Sequence, residues 1–469
     1  MRHSFFSEKD IIRPMEHKAS VSFFGGVDAV TGSNFMFESG GKRIMIDCGL
    51  FQGDKFADDR NREEFAFDPK SIDVLLVTHA HIDHIGRIPK LVREGFQGVI
   101  YSTPPTEELT NIMLLDTVRI LAHEATADGR PPIYEDRDVR DTMKLWISRE
   151  YYDEFPVAPG VTCEFKDAGH ILGSAMMFLK VNGTTMVFTG DLGNSPTPLL
   201  RDTDSIAGAT YLLMESVYGD RNHENRDERK ETLRQIITHS VAQGGVLLIP
   251  AFSLERTQEL LFELNDLVEH HNIPDVKIFV DSPLAIKATE VYRRSDKYFN
   301  QETQHIIKAG DDVFAFPRLS FTESKEESMH IWETKGPKVI MAGSGMANGG
   351  RIVHHLKHYA RDPKNAILLV GYQAAGTPGR RISEGQKVVR LTGDDVTINA
   401  KVFQLHGYSG HKDMDHLVEF VEGAHDTLKK IFVTIGEPRA SMFLAQRIRD
   451  YLGLDAVVPK PGDKVELDF

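Results

Sequence analysis

The run Asp73–Thr78, D-V-L-L-V-T, has the apolar, β-branched centre of a strand buried on both faces. Such a strand carries no polar side chains along its length. Its C-terminal end can present them, and here it opens at once onto V-T-H-A-H-I-D-H-I-G-R, Val77–Arg87. His79, His81, Asp83 and His84 put three imidazoles and a carboxylate into this one loop. Residues i and i+2 of an extended loop point to the same side, so His79 and His81 can share a cation. Asp83 and His84 lie a turn further on and can face a second one. Imidazole and carboxylate donors suit Zn²⁺, with Mn²⁺ or Fe²⁺ compatible. Two ions about 3.5–4 Å apart can hold a bridging hydroxide and polarise a phosphoryl or acyl oxygen.

One loop cannot saturate two ions. His170 in D-A-G-H-I-L-G, Asp191 in F-T-G-D-L-G and His411 in G-Y-S-G-H-K-D each stand in a glycine-containing loop next to a predicted strand. Alone, each is a turn residue; with the first motif, each becomes a candidate ligand, and Asp191 could bridge both ions. Asp47, ending the strand R-I-M-I-D, is placed to accept a hydrogen bond from a ligand imidazole and so fix its orientation.

Around this constellation the first half reads as short strands separated by glycine turns. These are Val21–Phe24, Phe35–Glu38, Arg43–Asp47, Val161–Lys166, Ala175–Val181, Thr184–Thr189 and Tyr211–Glu215, with one long helix over Thr106–Thr126. The polar stretch Gly219–Lys230 marks a change of texture. Beyond it strands and helices alternate: strands at Gly245–Pro250, Lys277–Val280, Lys338–Ala342 and Ala366–Val370, helices at Leu254–Asn265, Ile286–Tyr292 and Arg351–His358. That is the pattern of a parallel sheet with crossover helices. The 469 residues exceed one ordinary core. Two cysteines exclude a disulfide scaffold and a Cys-rich zinc module. No apolar run is long enough to span a bilayer, and the first residues lack the apolar core of a signal peptide, so a cytoplasmic location is expected. With 55 basic and 69 acidic residues the net charge is −14, so a nucleic-acid partner needs a local basic groove.

On these residues the chain resembles the metallo-β-lactamase superfamily. Asp47, His79–His84, His170 and Asp191 match its successive motifs in order. Within it the chain is similar to the β-CASP nucleases, among them bacterial and archaeal relatives of the nuclease subunit of the cleavage and polyadenylation specificity factor. Further stretches agree, namely Gly40–Gly53, Pro250–Leu261, Asp281–Ala285, Gly343–Arg351 and Gly371–Arg381. The resemblance implies an α/β fold: an αββα sandwich over 1–219 and 381–469, with the β-CASP domain, a parallel sheet with flanking helices, inserted at 220–380. It implies no KH extension ahead of the first strand. It implies two Zn²⁺ per chain, one on His79, His81 and His170, the other on Asp83, His84 and His411, with Asp191 between. Glu215 falls on the family's acidic motif A.

The implied activity is zinc-dependent endonucleolytic hydrolysis of RNA phosphodiester bonds, with Asp83, Glu215 and Arg381 in catalytic roles and the inserted domain as a lid over single-stranded RNA. Arg381 stands where the eukaryotic cleavage factor has a histidine. An arginine does not donate its proton at neutral pH, but it can pair bidentately with Glu215 or a phosphate. Protonation of the leaving 3′-oxygen then falls to a water at the metal. Arg256, Arg351 and Arg381, lying in family motifs, are candidate phosphate contacts. Ser344 and Gly345, in the loop before a helix, could offer backbone N–H groups. His411 stands where the DNA-repair branch typically has valine, which favours RNA over DNA. Hydrolysis of small esters or thioesters, single-strand DNA cleavage and a metal-free RNA-binding scaffold are the competing functions. Homodimerisation is compatible with the family, and no membrane partner is expected.

Overall fold

A computed structural model of the chain describes residues 18–53, 56–223, 228–270, 272–371, 373–374, 376–405 and 407–469. Two seven-stranded sheets form the body. From edge to edge the first runs Lys464–Asp468, Lys18–Gly25, Asn34–Ser39, Lys42–Ile46, Val74–Leu76, Val99–Ser102 and Trp146–Ser148. The second runs Ala456–Val457, Lys430–Val433, Tyr211–Met214, Thr184–Phe188, Ala175–Val181, Val161–Asp167 and Glu154–Ala158. Each is antiparallel over one half and parallel over the other.

The pleat explains why these strands read as continuous apolar runs. Ile44, Ile46, Val74 and Leu76 face the second sheet, whose Met177, Leu179, Met186, Phe188 and Leu213 face back. The alternate residues Met45 and Leu75 turn outward, under Leu91, Leu114, Val118 and Val139 of the outer helices. On the far side Met176, Phe178, Val187 and Leu212 meet Leu417, Val421, Leu444 and Ile448. The layers are therefore helix, sheet, sheet, helix, with both faces of each sheet covered. Rings interlock across the middle, Phe23 on Phe432 at 5.3 Å and Phe37 on Phe188 at 6.4 Å between centroids. No described helix is long and apolar enough to cross a membrane.

A third sheet of six parallel strands stands beside the sandwich, ordered Leu319–Phe321, Lys277–Val280, Lys338–Ala342, Val246–Pro250, Ala366–Val370 and Lys401–Leu405. The insertion is expected at 220–380, and the strand Lys401–Leu405, beyond that range, pairs residue for residue with Ala366–Val370. The chain leaves this sheet only after 405, because its edge strand is laid down after the helix Pro378–Ser383 and the hairpin Val388–Leu391 with Asp394–Thr397. The expected leading boundary, Gly219–Lys230, lies partly outside the described residues.

Asp281, ending the Lys277–Val280 strand, organises the far end of this sheet. Oδ1 accepts from Thr322 Oγ1 at 2.7 Å and Arg351 at 2.6 Å; Oδ2 accepts from Ser328 Oγ at 2.6 Å and His355 Nε2 at 2.7 Å. Against its burial, these donors hold the carboxyl down at about 2. Asp281→Ala would leave His355 and Arg351 without their acceptor, and a loss of about 3 kcal/mol is expected in urea denaturation. Because the folded-state pKa is depressed, this contribution is present above about pH 4 and disappears as the pH falls through about 2. Denaturation curves of wild type and variant should converge in that acid range.

Candidate metal centre

The candidate ligands of the His79 loop, His170 and Asp191 follow or lie between strands of the sandwich, and His411 comes after Lys401–Leu405 of the third sheet. The strand Val74–Leu76 runs out into Thr78 and the His79–His84 loop, and a single turn of helix, Ile82–Ile85, starts behind His81. That turn is stitched to the segment after the neighbouring strand. Cys48 N donates to His84 O at 2.8 Å, Leu50 N to Ile82 O at 3.0 Å, and Ser33 N to Asp83 O at 2.9 Å. The backbones approach so closely that a Cβ on Gly49 would sit 1.5 Å from the Asp83 carbonyl oxygen.

Within this frame His79, His81 and His170 form a near-equilateral triangle, with ring centroids 4.9, 5.0 and 5.0 Å apart. Their inner nitrogens converge: His81 Nδ1 lies 3.1 Å from His79 Nε2 and 3.2 Å from His170 Nε2. Asp191 reaches between two groups. Oδ2 is 3.5 Å from His79 Nε2 and 3.6 Å from His170 Nε2, while Oδ1 is 3.3 Å from His84 Nε2. One donor atom from each of His79, His81, His170 and Asp191 lies within 4.8 Å of the others. Asp83 and His411 flank the second side, close enough for their charges to act on each other. His81, Asp83 and His411 are partly exposed and the remaining ligands are buried, so the centre opens on one side only.

Outer hydrogen bonds set the rings. His84 Nδ1 donates to Asp47 Oδ2 at 2.7 Å. His79 Nδ1 lies 3.0 Å from Thr78 Oγ1, which passes its own proton to Asp47 Oδ2 at 2.9 Å. His170 Nδ1 meets Gly410 O at 2.8 Å, and His411 Nδ1 meets Glu215 Oε1 at 3.0 Å. Four imidazoles thus have the outer nitrogen engaged, which leaves the other ring nitrogen as the one a metal would take, the way proteins aim histidines at a cation. Burial, with the neighbouring imidazoles, holds His79 and His170 well below the ordinary histidine range, and burial brings His81 down to about 4. All three are neutral at physiological pH, the form that binds a cation. Burial lifts Asp83 to about 6. Despite its burial, His411 is raised to about 9 by Glu215. His84 Nε2 and Asp191 Oδ1 are buried with no hydrogen-bond partner among the described residues. Orphaned buried donors and acceptors are costly in a native fold, and a cation between them satisfies both. The residues fit a metal.

The substrate-side expectations divide. Arg256 reaches the centre: its guanidinium lies 4.0 Å from where a Gly410 Cβ would be, beside the His170 ring. It is buried and paired with Glu259. Arg351 is instead spent on structure, donating to Asp281, to Thr322 O at 2.9 Å and to Glu323 O at 2.5 Å. Ser344 Oγ accepts from the backbone N–H of Asn348 at 3.0 Å and Gly349 at 3.3 Å, so this hydroxyl folds its own loop. Gly345 lies against the ring of Phe252. The Arg381–Glu215 pair does not form, because Glu215 is consumed by His411 and by the N–H groups of Leu192 at 2.7 Å and Val217 at 3.1 Å. Arg381 is half-exposed on the helix Pro378–Ser383. Glu215 thereby acts through His411. Thr78 and Gly410 O were not among the expected site groups. The threonine directly before His79 was the one visible signal.

Three families match successive parts of the chain: the metallo-beta-lactamase superfamily over residues 27–236, the Beta-Casp domain over 257–382, and the Zn-dependent metallo-hydrolase RNA specificity domain over 395–459. Among curated proteins the chain is similar to ribonuclease TTHA0252 of Thermus thermophilus, 38% identical over 400 residues, 85% of this chain and 90% of that one. It is also similar to the transcription termination factor FttA of Methanosarcina mazei, 30% identical over 97% of this chain and 74% of that one. A crystal structure of a protein of unknown function from Enterococcus faecalis superposes with a TM-score of 0.55 at 11% identity, over 96% of this chain and all of that one. That match speaks for the fold alone.

Two substitutions test the frame around the ligands. Asp47→Ala removes the acceptor that orients His84 and, through Thr78, His79; metal affinity is expected to fall about 10–100-fold in chelator competition. Gly49→Ala drives a methyl group into the Asp83 carbonyl and should lower metal content measured by mass spectrometry, although it touches no ligand side chain.

Proposed function

Since the chain belongs to the β-CASP branch of the metallo-β-lactamase superfamily, a group of metal-dependent hydrolases, we propose that it is a zinc-dependent ribonuclease cleaving single-stranded RNA in the cytoplasm. The observation that carries the ligand assignment is the two-sided reach of Asp191, one oxygen toward His79 and His170 and the other toward His84. His79, His81 and His170 would hold one Zn²⁺. Asp83, His84 and His411 would hold the other, with Asp191 shared. Bound there, the ions would supply Lewis acidity at the scissile phosphoryl group and a water acidified into the neutral range.

The protein's own groups do the rest. Asp83, partly exposed on the open side, is placed to orient the attacking water and take its proton. Glu215 keeps His411 turned inward and is a positioning residue. Arg256 brings a fixed positive charge beside His81 and His170, where a phosphate oxygen would lie. Arg381, unable to give up a proton, serves as a phosphate contact rather than as the leaving-group acid. Departure of the ribose 3′-oxygen leaves a 5′-phosphate. The RNA specificity match over 395–459 and the named ribonuclease relative support RNA over esters and DNA.

Purified protein should cleave end-labelled single-stranded RNA and lose that activity to chelator. Zinc analysis should return two ions per chain. Asp83→Ala and His411→Ala should each lower the rate by about a thousandfold with the fold retained, as judged by thermal melting. Thioester turnover without RNA cleavage, equal cleavage of a matched DNA strand, or full activity in either variant would each overturn the corresponding part of the assignment.

A further inference from the structure

Phe252 is one of the few large apolar side chains left open, 41% exposed, and its setting is rigid. It follows the central strand Val246–Pro250 of the third sheet, in P-A-F-S-L-E-R. Ala251 N continues the ladder to Ala342 O at 3.1 Å. Phe252 O accepts from Thr257 N at 3.3 Å and Thr257 Oγ1 at 2.7 Å. The ring rests on Gly345, in the loop after the neighbouring strand Lys338–Ala342. A Cβ on Gly345 would meet Cδ2, Cε2 and Cγ of Phe252 at 2.7, 2.8 and 2.9 Å. Three adjacent ring atoms at nearly one distance mean that the glycine presses on the ring face; an edge-on approach would leave the outer two clearly farther than the middle one. One face is therefore backed by a residue with no side chain, and the exposure belongs to the other.

The surroundings are those of a nucleic-acid groove. The turn that carries Phe252 sends Arg256 to the metal centre four residues later. The loop that backs Phe252 is held to the helix of Arg381 by Gly379 N donating to Met346 O at 2.9 Å. The ring thus stands at the C-terminal ends of two adjacent parallel strands, where open α/β sheets bind ligands, four residues before Arg256 and against the loop fastened to the helix of Arg381. Aromatic faces interleaved with cations are how single strands are gripped without reading sequence, since every base has a π-face. Resting on the ribonuclease reading above, we propose that Phe252 is a base-stacking platform that seats one nucleotide of single-stranded RNA beside the scissile phosphate, with Gly345 as the floor that fixes the ring.

Phe252→Ala and Phe252→Leu should each raise KM for a short single-stranded RNA about tenfold, whereas Phe252→Trp should restore it. Metal content and melting temperature should be unchanged in all three. Gly345→Ala, whose methyl group would displace the ring, should reproduce part of the defect. A set of oligonucleotides, each abasic at a different position, should contain one that wild type binds about tenfold more weakly and for which Phe252→Ala causes no further loss. Wild-type behaviour of Phe252→Leu, or additive losses at every abasic position, would overturn the stacking role. If wild type itself leaves RNA intact, the ribonuclease reading falls; if it cleaves RNA and the leucine variant matches it, only Phe252 is reassigned.

Discussion

The architecture of the centre depends on one buried carboxylate. Asp47 holds a left-handed backbone, φ 57°, which aspartate tolerates better than most residues. From there its Oδ1 accepts from Thr78 N at 2.8 Å. Its Oδ2 accepts from Thr78 Oγ1, Ser33 Oγ and His84 Nδ1. A carboxylate taken out of water is tolerable only when such donors surround it. Here the same donors join two strand ends, the first histidine loop and the glycine turn at Ser33 into one unit. The metal ligands of that loop inherit their positions from a charge that lies behind them.

A second layer of buried charge ties the inserted sheet to the other ligand loops. Its helix Arg256–Glu269 presents Glu263 to Tyr408, and Arg229 binds both Glu263, at 2.9 Å, and Gly407 O, at 3.1 Å. Glu255, which precedes the same helix, accepts from Tyr292 OH at 2.6 Å, and that hydroxyl receives Leu172 N at 3.3 Å. Burial, with Glu259 beside it, pushes Glu255 up to about 8, so it is largely uncharged near neutrality. One helix thereby reaches the loop of His170 through Tyr292 and the loop of His411 through Tyr408. Candidate ligand loops far apart in sequence are thus linked by side chains that lie outside the centre itself.

Much of this was legible in the sequence, for a physical reason. Strands covered on both faces are apolar almost throughout, so Val74–Leu76, Ala175–Val181 (interrupted only by Lys180) and Ala366–Val370 announce themselves, and ligand chemistry at strand ends stands out against them. Lys464–Asp468 does not: it is an edge strand whose only buried residue is Leu467. The helices Asp136–Met143, Gln301–Lys308 and Lys325–Glu333 are short and charged and bury only Val139 and Thr142, Thr303, and Ile331 respectively, so each offers too brief an apolar stripe to read. Lys401–Gln404 reads as a strand in the sequence, but its pairing with Ala366–Val370 is a tertiary fact. Arg351 and Arg381 show the same division. Both lie in recognisable motifs, yet only the structure shows that one is saturated by Asp281 while the other is half-exposed beside the loop that holds Phe252.

The late return of the edge strand Lys401–Leu405 has a mechanical meaning. The last strand of the inserted sheet ends at Leu405, and His411 stands six positions later, with Tyr408 and Gly410 between them already fastened to both sides. The inserted sheet is therefore no freely swinging cover. On the proposed ligand assignment, a rotation that widened the cleft would pull on His411, and admission of a strand and retention of the cations would be geared to one another.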